Sequence, residues 1–374
     1  MRKLIFIGAL CCATAQAQQT MAETAAILHG EYRDWQAYAS LQSLAAYDAI
    51  PVRELDGDWS RGYEPKAGDN LFLQRHRAGF GMEKEGWQVG LEYRQQGVLH
   101  ASRDTLEFYR IYRLRQRPGS ARAFDLDAQF RSWSAAGMRV GRSISFEAAA
   151  GDTLVLVLAG SLYAHPRQRD IGVHGNLNYQ PVDSYAFNAQ SLESDTAYRY
   201  PFMKDAAPTS SGASVSLALQ WQLNQRWQAK LELNDLWSRM RWSNLPSVRN
   251  NINSDVTSYD RDGYVNYRPL LSGQNSQIEK SRNIGASAAL NLSYSFDRWR
   301  IKAGADRLEG TTIPAVALAY WSPWGAWSAS YETRFNTLSV GYEAGAFHVS
   351  LRSDSWPLSR AKAVGLDAGL HYRF

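Results

Sequence analysis

The last nine residues of the chain alternate between apolar and polar side chains up to the terminal carboxylate. The apolar members are Leu366, Ala368, Leu370, Tyr372 and Phe374, and the polar members between them are Asp367, His371 and Arg373. A period of two is that of a β-strand with one apolar face, since a helix repeats every 3.6 residues. Aromatic rings gather at the end of this strand, where an interfacial belt would lie. The pattern therefore predicts a strand whose apolar face meets lipid.

The opposite end of the chain has the pattern of a secretory leader. A basic start (Met1-Arg2-Lys3) precedes an apolar run, and Ala15-Gln16-Ala17 has the small-residue spacing of a cleavage site. We expect residues 1–17 to be a signal peptide. Both cysteines, Cys11 and Cys12, lie inside it, so the mature chain would have no disulfide and no cysteine-based metal site.

Taken with the leader, the C-terminal pattern resembles the assembly signal of Gram-negative outer-membrane β-barrel proteins. The matching positions are Asp367, Gly369, Tyr372 and Phe374. This resemblance implies a place in the cell outer membrane, contact with its lipid, and insertion by the barrel-assembly machinery through Phe374. It identifies neither the exact family nor a cargo.

Alternation of the same kind recurs along most of the chain, and tight turns between the alternating segments are flanked by Trp, Tyr or Phe. These turns lie at 84–86, 224–226, 297–298, 322–326 and 344–346. Rings repeated at one end of successive hairpins are typical of the aromatic girdle of a membrane barrel. We therefore predict an all-β fold, a closed antiparallel transmembrane β-barrel with long extracellular loops.

Counting strands backwards from residue 374 gives seventeen as far as residue 70, including 346–353, 336–343, 313–321, 183–190, 171–180, 153–163, 137–147, 121–133 and 105–116. A barrel that starts and ends in the periplasm needs an even number. Residues 35–47 supply one more strand, although Asp34 and an i+3 apolar spacing also suit a helix there. We expect about 18 strands, or 16 if 171–190 does not cross. Residues 18–31 would then be a periplasmic segment, 32–374 the barrel, and 242–281 a long loop, either extracellular or folded inwards.

Basic side chains on the predicted polar faces are the candidate functional residues. The candidate pore-lining set is Arg75, Arg77, Arg94, Arg110, Arg131, Arg300, Lys302, Arg334 and Arg352. A positive lining would attract anionic solutes or guide an acidic polysaccharide. Alternatively, these charges are structural and pair with acidic residues, namely Glu92, Asp125, Asp127, Glu232 and Glu332.

The sequence leaves two classes of function. The first is an outer-membrane channel for small or polymeric solutes, including anionic ones, which would be porin-like or similar to polysaccharide-export barrels. The second is a plugged structural or adhesion barrel that presents loops 191–212 and 242–281 to partners. The sequence has no hydrolase, zinc or phosphate-loop motif, and only His100, Ser102 and Asp104 suggest a triad. We expect no enzyme activity, cofactor or metal, and no nucleic-acid partner, since the basic residues form no block.

Overall fold

The structure, a computed structural model, describes residues 35–147, 152–180, 184–199, 207–224, 226–254, 257–259, 261, 265–267 and 270–374. The predicted signal peptide (1–17) and periplasmic segment (18–31) lie outside these residues. In the described part of the chain, no helix has the length and apolar character needed to cross a membrane.

Eighteen strands form nearly all of the regular structure. They are β1 Gln36–Tyr47, β2 Asp69–Lys84, β3 Trp87–Ser102, β4 Arg122–Glu147, β5 Thr153–Gln180, β6 Ser184–Asp195, β7 Thr209–Leu223, β8 Trp227–Asn253, β9 Thr257–Tyr259, β10 Val265–Tyr267, β11 Leu271–Arg282, β12 Ser287–Phe296, β13 Trp299–Leu308, β14 Thr311–Ser322, β15 Gly325–Glu332, β16 Thr337–Ala344, β17 Phe347–Ser353 and β18 Ala363–Arg373. One α-helix, α1 (Arg103–Arg113), and two short 3-10 helices, Val52–Leu55 and Leu358–Arg360, complete the described elements.

Fourteen of the strands close into an antiparallel ring, in the order β1–β5, β7, β8 and β12–β18. The ring closes where β18 pairs with β1, from Gln36 opposite Arg373 to Ala46 opposite Ala363. The amide of Phe374 adds a hydrogen bond to the carbonyl of Trp35 at 3.0 Å. Closure leaves the ring without a free edge, which matters because each unpaired backbone group in hydrocarbon would cost several kcal/mol.

One side of the barrel continues beyond the ring as an extended wall. Strands β4 and β5 have 26 and 28 residues, and their far ends pair beyond the point where β7 stops. Strand β6 takes the place of β7 there, between β5 and β8. Strand β11 pairs with the far end of β8. We call this end of the molecule the extended end, and the opposite end, with its short connections, the turn end.

The expectation of 18 strands in the ring, or of 16, was wrong. Segments 121–133 and 137–147 are one continuous strand, and so are 153–163 and 171–180. The sequence looks interrupted there because a register shift between Ser134 and Ala136 breaks the alternation, and His165 has a φ of 49°. Such bulges bend a strand without ending it.

The other two surplus strands have different explanations. Residues 105–116 fall mainly in helix α1, and 183–190 fall in β6, which adds to the extended wall and not to the ring. The expected loop 242–281 is largely sheet, since β8 continues to Asn253 and β11 begins at Leu271. Residues 35–47, by contrast, form a strand as preferred, and Gln36–Tyr47 closes the ring.

The outer face of the ring is apolar, and aromatic rings collect at its turn end. Exposed rings at this end are Trp87, Trp221, Trp227, Phe296, Trp299, Trp324, Trp327, Phe347, Tyr372 and Phe374. Several form pairs across hairpins, such as Trp299 with Tyr320 and Trp327 with Tyr342, at centroid distances of 4.7 and 4.6 Å. The predicted girdle and its short turns are thus confirmed, and they mark one boundary of a lipid-facing belt.

Candidate functional site

The interior of the ring is lined by charges of both signs. Strand alternation and register place these side chains on the inner face, and they include the acids Glu83, Glu92, Glu232, Asp306, Glu332, Glu343 and Asp367 and the bases Arg75, Arg77, Arg94, Arg139, Lys230, Arg300, Lys302 and Arg352. Acids and bases occur in similar numbers. The interior is therefore strongly polar without an excess of either sign.

A deeply buried ion pair crosses this interior at the level of the ring. Arg94 on β3 binds Asp235 on β8 through two parallel contacts, Nη1 to Oδ1 at 2.8 Å and Nη2 to Oδ2 at 2.5 Å. The two strands are not neighbours, since β4, β5 and β7 lie between them in the ring. Only 8% of Arg94 and 3% of Asp235 is exposed. A bidentate guanidinium–carboxylate contact fixes both distance and orientation, so the pair ties two distant parts of the wall together.

A β-bulge explains how Asp235 reaches the interior. Leu231 and Leu233 face outwards, so strict alternation would also turn residue 235 towards lipid. The register of β7 against β8 shifts between Val215 and Leu217, and Asp235 adopts a φ of 56°. Asp tolerates this left-handed backbone better than a branched residue would. The bulge therefore re-aims one carboxylate from the lipid face to the lumen.

Tyr163 extends the pair into a network. Its hydroxyl accepts a hydrogen bond from Arg94 Nη1 at 2.7 Å and donates one to Glu92 Oε1 at 2.8 Å. Glu92 in turn contacts Arg77 at 3.4 Å. The indole of Trp133 lies 5.2 Å from the Arg94 guanidinium, within the range of a cation–π contact. Each central charge of the network thus has a partner, as burial requires.

Two apolar clusters flank this network towards the extended end. The first belongs to the β4–β8 side and contains Trp133, Ala135, Tyr163, Met240, Trp242, Leu245 and Ile284. The second belongs to the opposite wall and contains Leu44, Ala46, Leu71, Leu73, Val98, Leu308, Ile313, Phe335 and Ala363. Between them Gln96 donates a hydrogen bond to Glu309 at 2.7 Å. Together the clusters and the network form what we call the lumen barrier.

Space remains inside the ring on the turn side of the barrier. A cavity of about 150 Å³ is lined by Tyr38, Arg77, Glu92, Arg139, Lys230, Glu232 and His371, among others. A second cavity, of about 60 Å³, lies against the opposite wall, where the inward residues are small. They include Ala315, Ala317, Ala319, Ser328 and Ser330. Small side chains on one wall and paired charges on the other leave room for a solute of modest size.

The structure places seven of the nine predicted residues, Arg131 among them, on inward faces of ring strands. They are Arg75, Arg77, Arg94, Arg131, Arg300, Lys302 and Arg352. Arg131 shares the inner face of β4, opposite Val98 and Asp170 in register. Of the predicted acidic partners, Glu92 contacts Arg77, a predicted residue, whereas Glu232 contacts Lys230, which was not among the predicted bases.

Arg110 and Arg334 do not face the lumen. Arg110 lies on helix α1, where its Nε donates to the carbonyl of Trp59 at 3.2 Å. Arg334 lies in the turn after β15 and binds Asp48 through two contacts of 2.9 Å. Burial opposes ionisation of Asp48, but hydrogen bonds from Arg334 and Lys66 outweigh it and hold its pKa below the usual value.

The predicted triad residues are separated by their roles in the fold. Ser102 caps helix α1, where its Oγ accepts a hydrogen bond from the amide of Thr105 at 3.1 Å. His100 contacts Asp69 at 2.6 Å, and Asp104 contacts Arg122 at 3.3 Å. Across the part of the chain that is described, no three His, Cys, Asp or Glu side chains have the geometry of a metal site.

Sequence reasoning missed the central residues of the barrier, namely Asp235, Tyr163, Trp133 and Trp242. For Asp235 a signal does exist, because an acid at an outward position is followed by the apolar pair Leu236-Trp237. That pair breaks the alternation, as a bulge would. The contact with Arg94, which is 141 residues away, could be found only from the register of the whole ring.

A closed antiparallel ring with an apolar outer face, an aromatic girdle and a charged interior is stable only in lipid. The fold is that of an outer-membrane β-barrel. In such barrels the short turns lie in the periplasm, so the turn end is periplasmic and the extended end is extracellular.

Comparison with solved structures returns other barrels of this kind. A TodX deltaS2S3 mutant, described as a monoaromatic hydrocarbon channel, matches with a TM-score of 0.43 and 12% identity, over 91% of this chain and 90% of that one. The translocator domain of the autotransporter NalP from Neisseria meningitidis matches with a TM-score of 0.30 and 11% identity, over 96% and 94%. Outer-membrane phospholipase A from Escherichia coli matches with a TM-score of 0.25 and 11% identity, over 92% and 96%. No protein-family model and no curated protein matches the sequence.

Proposed function

We propose that the protein is a gated passage for small solutes across the outer membrane. The observation that carries the proposal is the Arg94–Asp235 pair, which crosses the lumen between non-adjacent strands. A barrier made of side-chain contacts can open when the contacts separate and close when they form again. A barrier made of a backbone segment inside the ring would have to unfold to open. The periplasmic cavities supply space for a solute on one side of the barrier.

The charge pattern of the lumen favours small polar solutes that are neutral or zwitterionic. Acids and bases alternate around the larger cavity, with Glu92 and Glu232 beside Arg77 and Lys230. A zwitterion would find partners of both signs, whereas an anion would meet the acids as well. The expectation of anionic cargo gains no support from this lining, and cavities of about 150 and 60 Å³ offer no path for a polymer.

Hydrocarbons are the alternative cargo, by analogy with the TodX mutant described as a monoaromatic hydrocarbon channel. An apolar solute would have to pass the charged lining. It would displace water from these polar groups and offer them no hydrogen bonds in return. We therefore propose polar cargo ahead of hydrocarbons. The proposal assigns the protein no catalytic role, and insertion through Phe374 by the assembly machinery remains part of it.

A permanently closed structural barrel is the second candidate. The packing of the barrier favours it, since Trp242 is 1% exposed and its Nε1 donates to the carbonyl of Pro166 at 2.8 Å. A buried tryptophan held in this way resists displacement. In that case the extended wall would be the functional part of the molecule.

Solute uptake into liposomes tests the proposal. The refolded protein is reconstituted, and swelling is followed in a neutral amino acid, a sugar acid of similar size and toluene. We expect the amino acid to enter faster than the sugar acid, and Asp235→Asn to accelerate its entry several-fold. Glu64→Gln, which changes an exposed carboxylate bound to Lys362 at 2.8 Å, serves as the matched control and should leave uptake unchanged. Equal rates with and without protein would contradict the proposal, and faster entry of toluene would replace the cargo class.

A further inference from the structure

The outer surface of the β5–β7–β8 region has a cluster of basic side chains at one height. Arg239 and Arg241 on β8 and Arg167 on β5 are all exposed and lie on the outward face. Arg239 is opposite Ala213 in β7, and Arg241 is opposite Ser211. We call these three residues the arginine cluster. None of these three residues lines the lumen or belongs to the lumen barrier.

The arginine cluster lies directly above the lipid-facing belt. On β8 the belt runs from Trp227 at the turn end to Trp237, ten residues later (237 minus 227), and both indoles are exposed. A tilted strand needs about 9–11 residues to cross the hydrocarbon core. Arg239 and Arg241 are the next outward residues after Trp237. They therefore lie at the level of the lipid headgroups in the outer leaflet.

Strand β5 gives a similar height. On β5 the outward row runs from Leu154 to Ala164, again ten residues (164 minus 154), and Leu162 in this row is 69% exposed. Arg167 follows where β5 leaves the belt. Through β7, Arg239 lies level with Leu162 and Arg241 with Ala164, so the arginines lie at the outer end of this lipid-facing row.

Within the described residues, the guanidinium groups of the cluster have no carboxylate partner. Among the ion pairs of the described residues, none involves Arg167, Arg239 or Arg241, and Arg239 only donates to the hydroxyl of Ser281 at 3.4 Å. The acid on the adjacent strand, Glu279, is held instead by the hydroxyl of Ser243 at 2.7 Å and the amide of Asn244.

A nearby arginine shows the contrast. Arg169, two residues beyond Arg167 on the same face, is paired with Glu193 at 2.9 Å. Arginines that serve the fold are therefore paired here, and the three at the headgroup level are left available.

We propose that the arginine cluster binds the phosphate groups of a phosphorylated lipid in the outer leaflet. Alternate residues of a strand are about 7 Å apart, so Arg239 and Arg241 can contact one phosphate together or two neighbouring ones. Guanidinium groups bind phosphate through two parallel hydrogen bonds, and each basic residue near a membrane surface strengthens binding about fivefold. The acyl chains of this lipid would lie against Leu162 and Trp237, on the belt side of the arginines. An indole at this level is typical of a membrane–water interface.

Binding of lipid A to the full-length protein in detergent micelles tests this proposal, which is independent of solute passage. The probe is bisphosphorylated lipid A, and binding is measured by native mass spectrometry. We expect Arg239→Ser combined with Arg241→Ser to weaken binding on the order of 20-fold. The matched control is Arg226→Ser combined with Arg298→Ser, which removes two exposed arginines at the turn end and should leave affinity unchanged.

Two further arms identify the source of the phosphate and protect against misfolding. Dephosphorylated lipid A should bind the wild-type protein no more tightly than bisphosphorylated lipid A binds the variant with Arg239→Ser and Arg241→Ser. Millimolar inorganic phosphate should not displace lipid A from the wild-type protein. The heat-modifiable migration of each variant on gels confirms that the barrel is folded. Equal affinity of the two double variants, or tight binding of the dephosphorylated lipid, would overturn the proposal. Displacement by inorganic phosphate would assign the site to the free ion.

Discussion

Two of the buried pairs of ionisable side chains in the lumen differ in what they connect. His348 Nε2 and Asp367 Oδ1 are 2.8 Å apart, on the neighbouring strands β17 and β18. Arg94 and Asp235 are as deeply buried, but they join β3 to β8 across the interior. The first pair belongs to the wall, and separating it would not change the cross-section of the lumen. The second lies in the way of any solute, so topology and not burial distinguishes a gate from a wall contact.

Removal of the crossing carboxylate should produce the largest effect on stability. Asp235→Leu leaves the Arg94 guanidinium buried without its partner, which costs about 3–5 kcal/mol in comparable cases. Unfolding in urea from lipid vesicles measures the change. Arg94→Met added to Asp235→Leu should recover most of the loss, since an apolar pair of similar volume can replace a buried ion pair. Failure of the second change to recover stability would show that Asp235 acts through something other than Arg94.

The wall pair provides the functional contrast. Asp367→Asn should lower stability, because Asp367 is 1% exposed and its contact to His348 is altered. It should leave solute uptake at the wild-type rate, whereas Asp235→Asn raises it. Uptake and urea unfolding, measured on the same preparations, separate the two effects. If both variants became leaky to the same extent, the distinction between gate and wall would be lost.

At the extracellular end, Asp48 predicts a pH dependence outside the membrane. Its pKa in the folded protein is below the ordinary value of 3.8, because hydrogen bonds from Arg334 and Lys66 outweigh burial. A lowered pKa stabilises the folded state at pH values above the unfolded pKa, and this contribution disappears as the pH falls through the folded pKa. Wild type should therefore lose stability below about pH 4 more steeply than Asp48→Asn. Parallel pH profiles of the unfolding free energy would exclude this role.

The smallest expected effect concerns helix α1, which lies beside the ring. Ser102→Ala removes the side chain that caps the amide of Thr105, and loss of such a cap costs about 1 kcal/mol. Hydrogen exchange of the first turn of α1 should accelerate, while exchange in β17 and β18 stays as in wild type. Ser102→Asp, which can also cap, should restore protection. Acceleration throughout the ring would mean that α1 and the barrel unfold together.

The C-terminal part of the ring could be predicted from the sequence almost to the residue. Expected strands at 313–321, 336–343 and 346–353 correspond to β14 Thr311–Ser322, β16 Thr337–Ala344 and β17 Phe347–Ser353. Their alternation is uninterrupted and their turns are short, so local pattern and final structure agree.

The other part of the ring could not be predicted in this way because its strands contain bulges. A bulge interrupts the period of two in the same manner as a turn, and β4 and β5 were each divided for this reason. Helix α1 was missed although Ser102 is a good cap, because its apolar residues were read at a strand period. The barrier depends on contacts such as Arg94 to Tyr163, 69 residues apart, which require the register of several strands. The inward basic residues were recognisable one strand at a time; their partners were not.

Single-channel recording in a planar bilayer measures whether side chains joined across the lumen close this barrel. Wild type, Asp235→Asn and Asp367→Asn are compared at equal amounts of inserted, folded protein. We expect brief, infrequent openings of wild type and of Asp367→Asn, and longer or larger openings of Asp235→Asn. A conductance of Asp235→Asn that equals wild type, while Asp367→Asn opens, would contradict it.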